Sequence, residues 1–155
     1  MTKNSLYQIQ WPLILISASI YFLLGFLTLQ FPLVGGSVTL LYPGAGFALS
    51  LVLLYGRVAG FGIFLGALAT KLWATGQFNL AAMIALGSTL QALVAHRLLV
   101  TQAMNAKLEA FADYIKLIIY GGFVSCMISA FIGISVLAFI AQIEIVNLPK
   151  LMLKW

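Results

Sequence analysis

Charge is what this sequence has least of. Of 155 residues only 7% are Asp, Glu, Lys or Arg, and just three of them are acids. An average soluble domain is about a quarter charged and about 45–50% apolar. Here 63% of residues are hydrophobic and the mean hydropathy is +1.12. So few charges cannot clothe a water-soluble globule of this size. An ordinary soluble enzyme and a disordered segment are excluded. What remains is an integral membrane protein whose first partner is the lipid bilayer.

Reactive groups are equally scarce. The one cysteine, Cys126, lies within an apolar run and excludes an intramolecular disulfide or a thiolate metal cluster. The one histidine, His96, sits beside Arg97, and Glu109, Asp113 and Glu144 fall near predicted helix ends. A metal site needs several converging ligands, and a hydrolytic triad needs a base with an orienting partner. No catalytic residue, metal site or cofactor is therefore expected, and the chain does not read as an enzyme. The formal charge is +5, from Lys3, Arg57, Lys71, Arg97, Lys107, Lys116, Lys150 and Lys154. These stand singly, with no stripe that tracks phosphates, so nucleic acid is not an expected partner.

What is present is long apolar runs. Five emerge, at about 12–31, 43–55, 58–74, 80–99 and 114–142, and the tail beyond Glu144 reads as the entry to a sixth helix. The fold class is all-α, a polytopic transmembrane helix bundle, with residues 1–155 as one domain. The first run is too long for a signal peptide's apolar region and is followed by no cleavage signature, so an uncleaved helix is predicted with Pro12 in its first turn. The second run is only 13 residues, a rise of about 20 Å against a hydrocarbon core of about 30 Å. Either its helix starts near Ser37 and bends at Pro43, or Pro43 opens a half-helix after a loop that dips into the membrane.

The few charges orient the bundle. With the N-terminus in the cytoplasm, the inner side holds Lys3, Arg57, Arg97, Lys107 and Lys116, against Lys71, Lys150 and Lys154 outside. Excess Lys and Arg mark the cytoplasmic face, so an inward N-terminus in a bacterial inner membrane is expected. Small residues recur at four-residue spacing: Gly56 and Gly60, Gly62 and Gly66, Gly87 and Ala95 around Gln91, and Gly121, Ser125, Ser129 and Gly133. Such faces let helices approach closely, within one chain or between two copies of a homodimer.

Five positions are candidates for a ligand or a switch. In Tyr42, Pro43, Gly44 and Gly46 a proline and glycines open a helix whose first N–H groups and dipole suit a polar or anionic partner. The same pattern also serves a plain helix start packed by small residues. Gln91 is a mid-helix amide that must hydrogen-bond across helices or to a ligand. Thr89 is placed in the same polar layer. Lys71 and Trp73 read as a snorkelling lysine with an interfacial tryptophan, a membrane anchor.

The runs Tyr42-Pro43-Gly44-Ala45-Gly46-Phe47-Ala48-Leu49, Leu53-Leu54-Tyr55-Gly56-Arg57, Gly62-Ile63-Phe64-Leu65-Gly66-Ala67 and Gly87-Ser88-Thr89-Leu90-Gln91-Ala92 resemble the bacterial membrane-associated sensor (MASE) domain of the first type. The resemblance spans nearly the whole chain and rests on the order and spacing of these motifs. It implies a sensory input module of about eight helices. In full-length relatives that module precedes a cytoplasmic output domain of the kinase or diguanylate cyclase type, and its stimulus, a small-molecule ligand or a membrane state, is unidentified. Ser88 and Gln91 depart from the family's usual Asn and Glu, and the resemblance implies further helices beyond Trp155. A substrate-binding subunit of a membrane transporter and a passive anchor are the competing readings of the residues themselves.

Overall fold

The computed structural model describes residues 3–30, 43–105 and 109–140. All of its regular structure is helical: α1 (Lys3–Leu29), α2 (Pro43–Tyr55), α3 (Val58–Thr75), α4 (Phe78–Thr101), and a continuous helix made of α5 (Phe111–Lys116), a π-helical segment (Leu117–Val124) and α6 (Ser125–Ile140). Among the described residues, four stretches are long and apolar enough to cross a membrane: Trp11–Leu29, Val58–Thr75, Phe78–Thr101 and Phe111–Gly133. This is the all-α transmembrane bundle expected from composition. The alternatives for the chain before Pro43 and the sixth-helix entry lie outside the described residues.

The helix boundaries follow from local chemistry. Gly56 at φ +70° turns the chain between α2 and α3, and its N–H donates to the Val52 carbonyl at 2.9 Å. Gly76 at φ +67° ends α3 in the left-handed conformation that glycine adopts without steric cost, its N–H bonding Leu72 O at 2.9 Å. One expectation is corrected. Pro12 lies inside α1 rather than in its first turn, because the helix begins at Lys3. Residues 3–10 contain no breaker, so the helix extends before the apolar span and gives up the hydrogen bond to residue 8 that proline cannot donate.

Packing follows the small residues. α1 lies most intimately on α3, α3 on α4, and α4 on α6, which makes a framework of four helices. Tyr21, Ala48, Val52, Ala59, Ile63, Ala67, Ala85 and Ala92 form the core of this bundle. The α1–α3 seam leaves no room for side chains at its glycines. A Cβ on Gly66 would lie 2.6 Å from the Ala18 carbonyl oxygen, and one on Gly62 2.8 Å from that of Ile14. On the opposing helix, a Cβ on Gly25 would lie 2.6 Å from Thr70 Cγ2. Gly87 of α4 meets Ile132 of α6 in the same way, at 3.0 Å. These glycine faces are thus covered from within the chain.

The seam predicts a contrast between two glycine substitutions. Gly66→Ala forces a methyl group against backbone and should cost about 1–3 kcal/mol, the usual price of overpacking. Gly46→Ala, which meets nothing within 4 Å, should gain up to about 1 kcal/mol from helix propensity. Reversible unfolding of the purified chain in mixed detergent micelles measures both, and equal effects would contradict the seam.

Candidate functional site

α2 and α6 both lean on α4 without packing closely on each other. α2 meets the π segment that precedes α6 at Leu49 and Gly121, where an added Cβ would sit 2.8 Å from Leu49 Cδ2. Between them opens a cavity of about 740 Å³, in the range of small-molecule sites. Its floor is one face of α4, formed by Ile84, Ser88, Gln91, Ala92 and Ala95. One wall is α2 from Ala45 to Leu54, and the other is the π segment and α6 from Leu117 to Ser129.

The polar groups of this cavity are mostly committed. Ser50 donates to Gly46 O at 2.9 Å, Ser88 to Ile84 O at 3.2 Å, and Ser125 to the carbonyls of Gly121 and, at 3.3 Å, Gly122. Such bonds spend a hydroxyl's only proton on its own helix. The Ser125 bonds fall where the π turn leaves carbonyls less well served by the helix. Gln91 differs. Its Nε2 donates to Cys126 Sγ at 3.3 Å, a weak acceptor. The amide oxygen and the second amide proton remain for another partner. Lys71, just before the last turn of α3, also lines the cavity.

The five candidate positions separate accordingly. Gly46 and Gln91 line the same cavity. Pro43 is the exposed first residue of α2 and Gly44 is buried beneath it, so these two shape the helix start and do not line the cavity. Tyr42 lies outside the described residues. Thr89 does not share a layer with Gln91: it faces Gly60 of α3 and bonds Ala85 O at 2.9 Å. His96 is half-buried and Arg97 exposed near the end of α4. Asp113, near the start of α5, is buried; it accepts the Asn105 N–H at 3.2 Å and lies 3.8 Å from Lys116. It pins the connector rather than a site.

Lys71 is the residue that the anchor reading misplaces. Trp73 is 71% exposed, with its ring edge-on to Phe26, as a lipid-facing anchor should be. Two residues turn a helix by about 200°, so Lys71 cannot share that face and is directed into the bundle. That angular argument was available from spacing alone. The π segment carried a weaker signal, the adjacent pair Gly121-Gly122. Among the described residues no group of three His, Cys, Asp or Glu is placed to hold a metal ion.

Residues 11–155 match the family described as MASE1. No curated protein and no solved structure matches the chain.

Because its direct bond is weak, Gln91 should matter little to stability. Interhelical hydrogen bonds in bilayers average about 0.6 kcal/mol, so Gln91→Leu should lower the unfolding free energy by about that amount or less. Alkylation of Cys126 in the same variant should change in rate, because the amide no longer covers the thiol. A loss of several kcal/mol would make the amide a structural cross-link.

Proposed function

The chain belongs to the MASE1 family of membrane-associated sensor domains, and on that premise we propose that it is the signal-input module of a bacterial signalling protein, with the α2–α4–α6 cavity as the place where its stimulus acts. The observation that carries this reading is the convergence of the first turn of α2 and the uncommitted amide of Gln91 on one cavity. A stimulus shifts a bundle only if it binds two helix arrangements unequally. A cavity bounded by a short helix on one side and a π turn on the other has two walls that can rearrange at modest cost.

The reading extends to topology and partners. The N-terminus lies in the cytoplasm and the chain in the inner membrane, the Tyr55–Val58 turn and the α4–α5 connector facing inward. A kinase or diguanylate cyclase type of domain in the full-length protein receives the signal. The cavity would equally suit the substrate of a small transport component, the second reading. Uptake into vesicles that depends on this chain would favour that reading over the sensor.

Two measurements test the proposal. Reporter fusions should be cytoplasmic when joined at residues 103–105 and extracytoplasmic when joined at Gly76, and the reverse pattern refutes the orientation. In the full-length gene product, Pro43→Ala and Gln91→Leu should each change output activity in membranes by severalfold at unchanged protein level. Output indifferent to both would remove the cavity from signalling. A reading frame that continued past the Trp155 codon into a signalling domain would identify which output to assay.

A further inference from the structure

We infer that the cavity binds a neutral, membrane-soluble molecule through a carbonyl group, held near mid-depth of the bilayer by Gln91 of α4 and Ser129 of α6. The inference rests on the sensory reading for its purpose and takes its chemistry from the cavity.

The protons along the cavity decide what it can hold. Ser50, Ser88 and Ser125 donate theirs to carbonyls of their own helices. Tyr21 and Lys71 are already engaged within the chain. The polar lining that is left is Gln91, Cys126 and Ser129. Ser135, further along α6, returns its proton to Phe131 O at 2.7 Å, the usual outlet for a helical serine. Ser129 makes no such bond among the described residues.

These groups stand together. α4 and α6 pack antiparallel, with Gly87 against Ile132 and Gln91 bonded to Cys126. Ser129 falls midway between those two contacts along α6, and one turn from Cys126 on the same side of the helix. Gln91 lies close to the middle of α4, Phe78–Thr101. The cluster therefore sits deep in the hydrocarbon, where a proton without an acceptor is costly. Its unanswered groups are chiefly donors: the second amide proton of Gln91 and the hydroxyl of Ser129, with the thiol as a weak third. A carbonyl oxygen has two lone pairs and can accept one proton from each helix.

Route and charge agree with this. Ser50, Leu54, Ile118, Gly122 and Cys126 line the cavity and are exposed, and the last two lie well within the Phe111–Gly133 span. The cavity thus opens sideways, between α2 and the π segment, into lipid. Charge is costly along that route, so the ligand is neutral. Lys71 takes no part. α3 and α4 run antiparallel with Gly60 against Leu93 and Thr89, which sets Lys71 level with the first turn of α4, roughly 16 Å along the axis from Gln91. Leu49, Leu53 and Ile84 offer an apolar surface for the body of the ligand.

Cys126, free and exposed on the cavity wall, serves as reporter. The chain in phosphatidylcholine nanodiscs is alkylated with N-ethylmaleimide in the presence of decylubiquinone, decylbenzene or decanoate. The quinone ring is fully substituted and leaves the thiol to the reagent. Decylubiquinone should protect Cys126 at roughly tenfold lower membrane concentration than the other two, as about two neutral hydrogen bonds would give. Gln91→Leu and Ser129→Ala, each referred to its own unprotected rate, should cut that preference about threefold apiece. The infrared carbonyl band of the quinone should move to lower wavenumber with the native chain and not with the double variant. If a variant does not fold, the probe series and the band shift in the native chain still decide.

Equal protection by decylbenzene overturns the proposal, since it would report only partitioning into an apolar space. Protection by decanoate as strong as by the quinone overturns it too, because the site would then select an anion. So does an unshifted carbonyl band, a preference that survives both substitutions, or no protection by any probe. N-Methyldecanamide distinguishes recognition of a carbonyl alone from recognition of a quinone ring, and either supports the proposal when Gln91 and Ser129 are required. Selective protection in nanodiscs together with unchanged output in the full-length variants would sink the sensory reading and leave this one standing. Altered output without selective protection would do the reverse.

Discussion

The close approach of α1 and α3 is the constraint on which the rest of the structure depends. In lipid, burying a leucine against another helix gains nothing over leaving it among acyl chains, so helices associate through packing at short range. Gly62 and Gly66 of α3 and Gly25 of α1 bring the two backbones so near that a single Cβ would collide with a carbonyl oxygen or with Thr70. Thr70, buried in this seam, returns its proton to Gly66 O at 2.8 Å and so presents only its methyl and a satisfied oxygen to α1. Thr70's polarity is thus absorbed locally, whereas Ser17 Oγ, buried against Gly62 on the α1 side, makes no hydrogen bond among the described residues, so what holds the contact is nearly all van der Waals.

With α1 and α3 locked, the position of every later helix follows. α3 presents Gly60 to Leu93 and Thr89 of α4 at ordinary contact distance, and α4 in turn receives α6 at Gly87. α4 is rich in alanine where it is buried, with Ala81, Ala85, Ala92 and Ala95, which allows it to stand at the centre with neighbours on several sides. α2, at 13 residues, is too short to complete that ring along its whole length. The cavity opens beside α2, where small residues such as Ala45, Gly46 and Ala48 face α4 and the π segment across it.

Much of this was legible in the residues. The span of α2 from Pro43 to Tyr55 and the tight turn at Gly56 followed from proline, glycine and the length of the apolar run. Small residues at four-residue spacing marked packing faces, but not which helix each would meet: Gly62 and Gly66 turned out to face α1, and Gly60, two residues earlier, α4. That choice depends on the relative rotation of whole helices, which a single chain's spacing does not encode. Pro12 was misread because proline favours a first turn, a preference that loses when the preceding residues have no reason to stop being helical. Lys71 was read by its residue type and its neighbour Trp73, although the turn of the helix between them sets the two on different faces.

The π-helical segment completes the physical argument. Widening a helix by one residue per turn weakens its own hydrogen bonds, and it persists where surroundings support it. Here support comes from Ser125, which donates to the Gly121 and Gly122 carbonyls, and from Leu49, which fills the space that a side chain at Gly121 would need. The same residues form a wall of the cavity. The π segment runs without interruption into α5, where Asp113 ties the α4–α5 connector through the Asn105 N–H and lies beside Lys116. The wall of the cavity and the anchor of the connector therefore belong to one helix. Displacing Leu49 from Gly121 would remove a support of the π turn, and a return to α-helical winding there would rotate α5 relative to α6. A small apolar contact inside the cavity is in this way mechanically joined to the end of the bundle opposite Lys71.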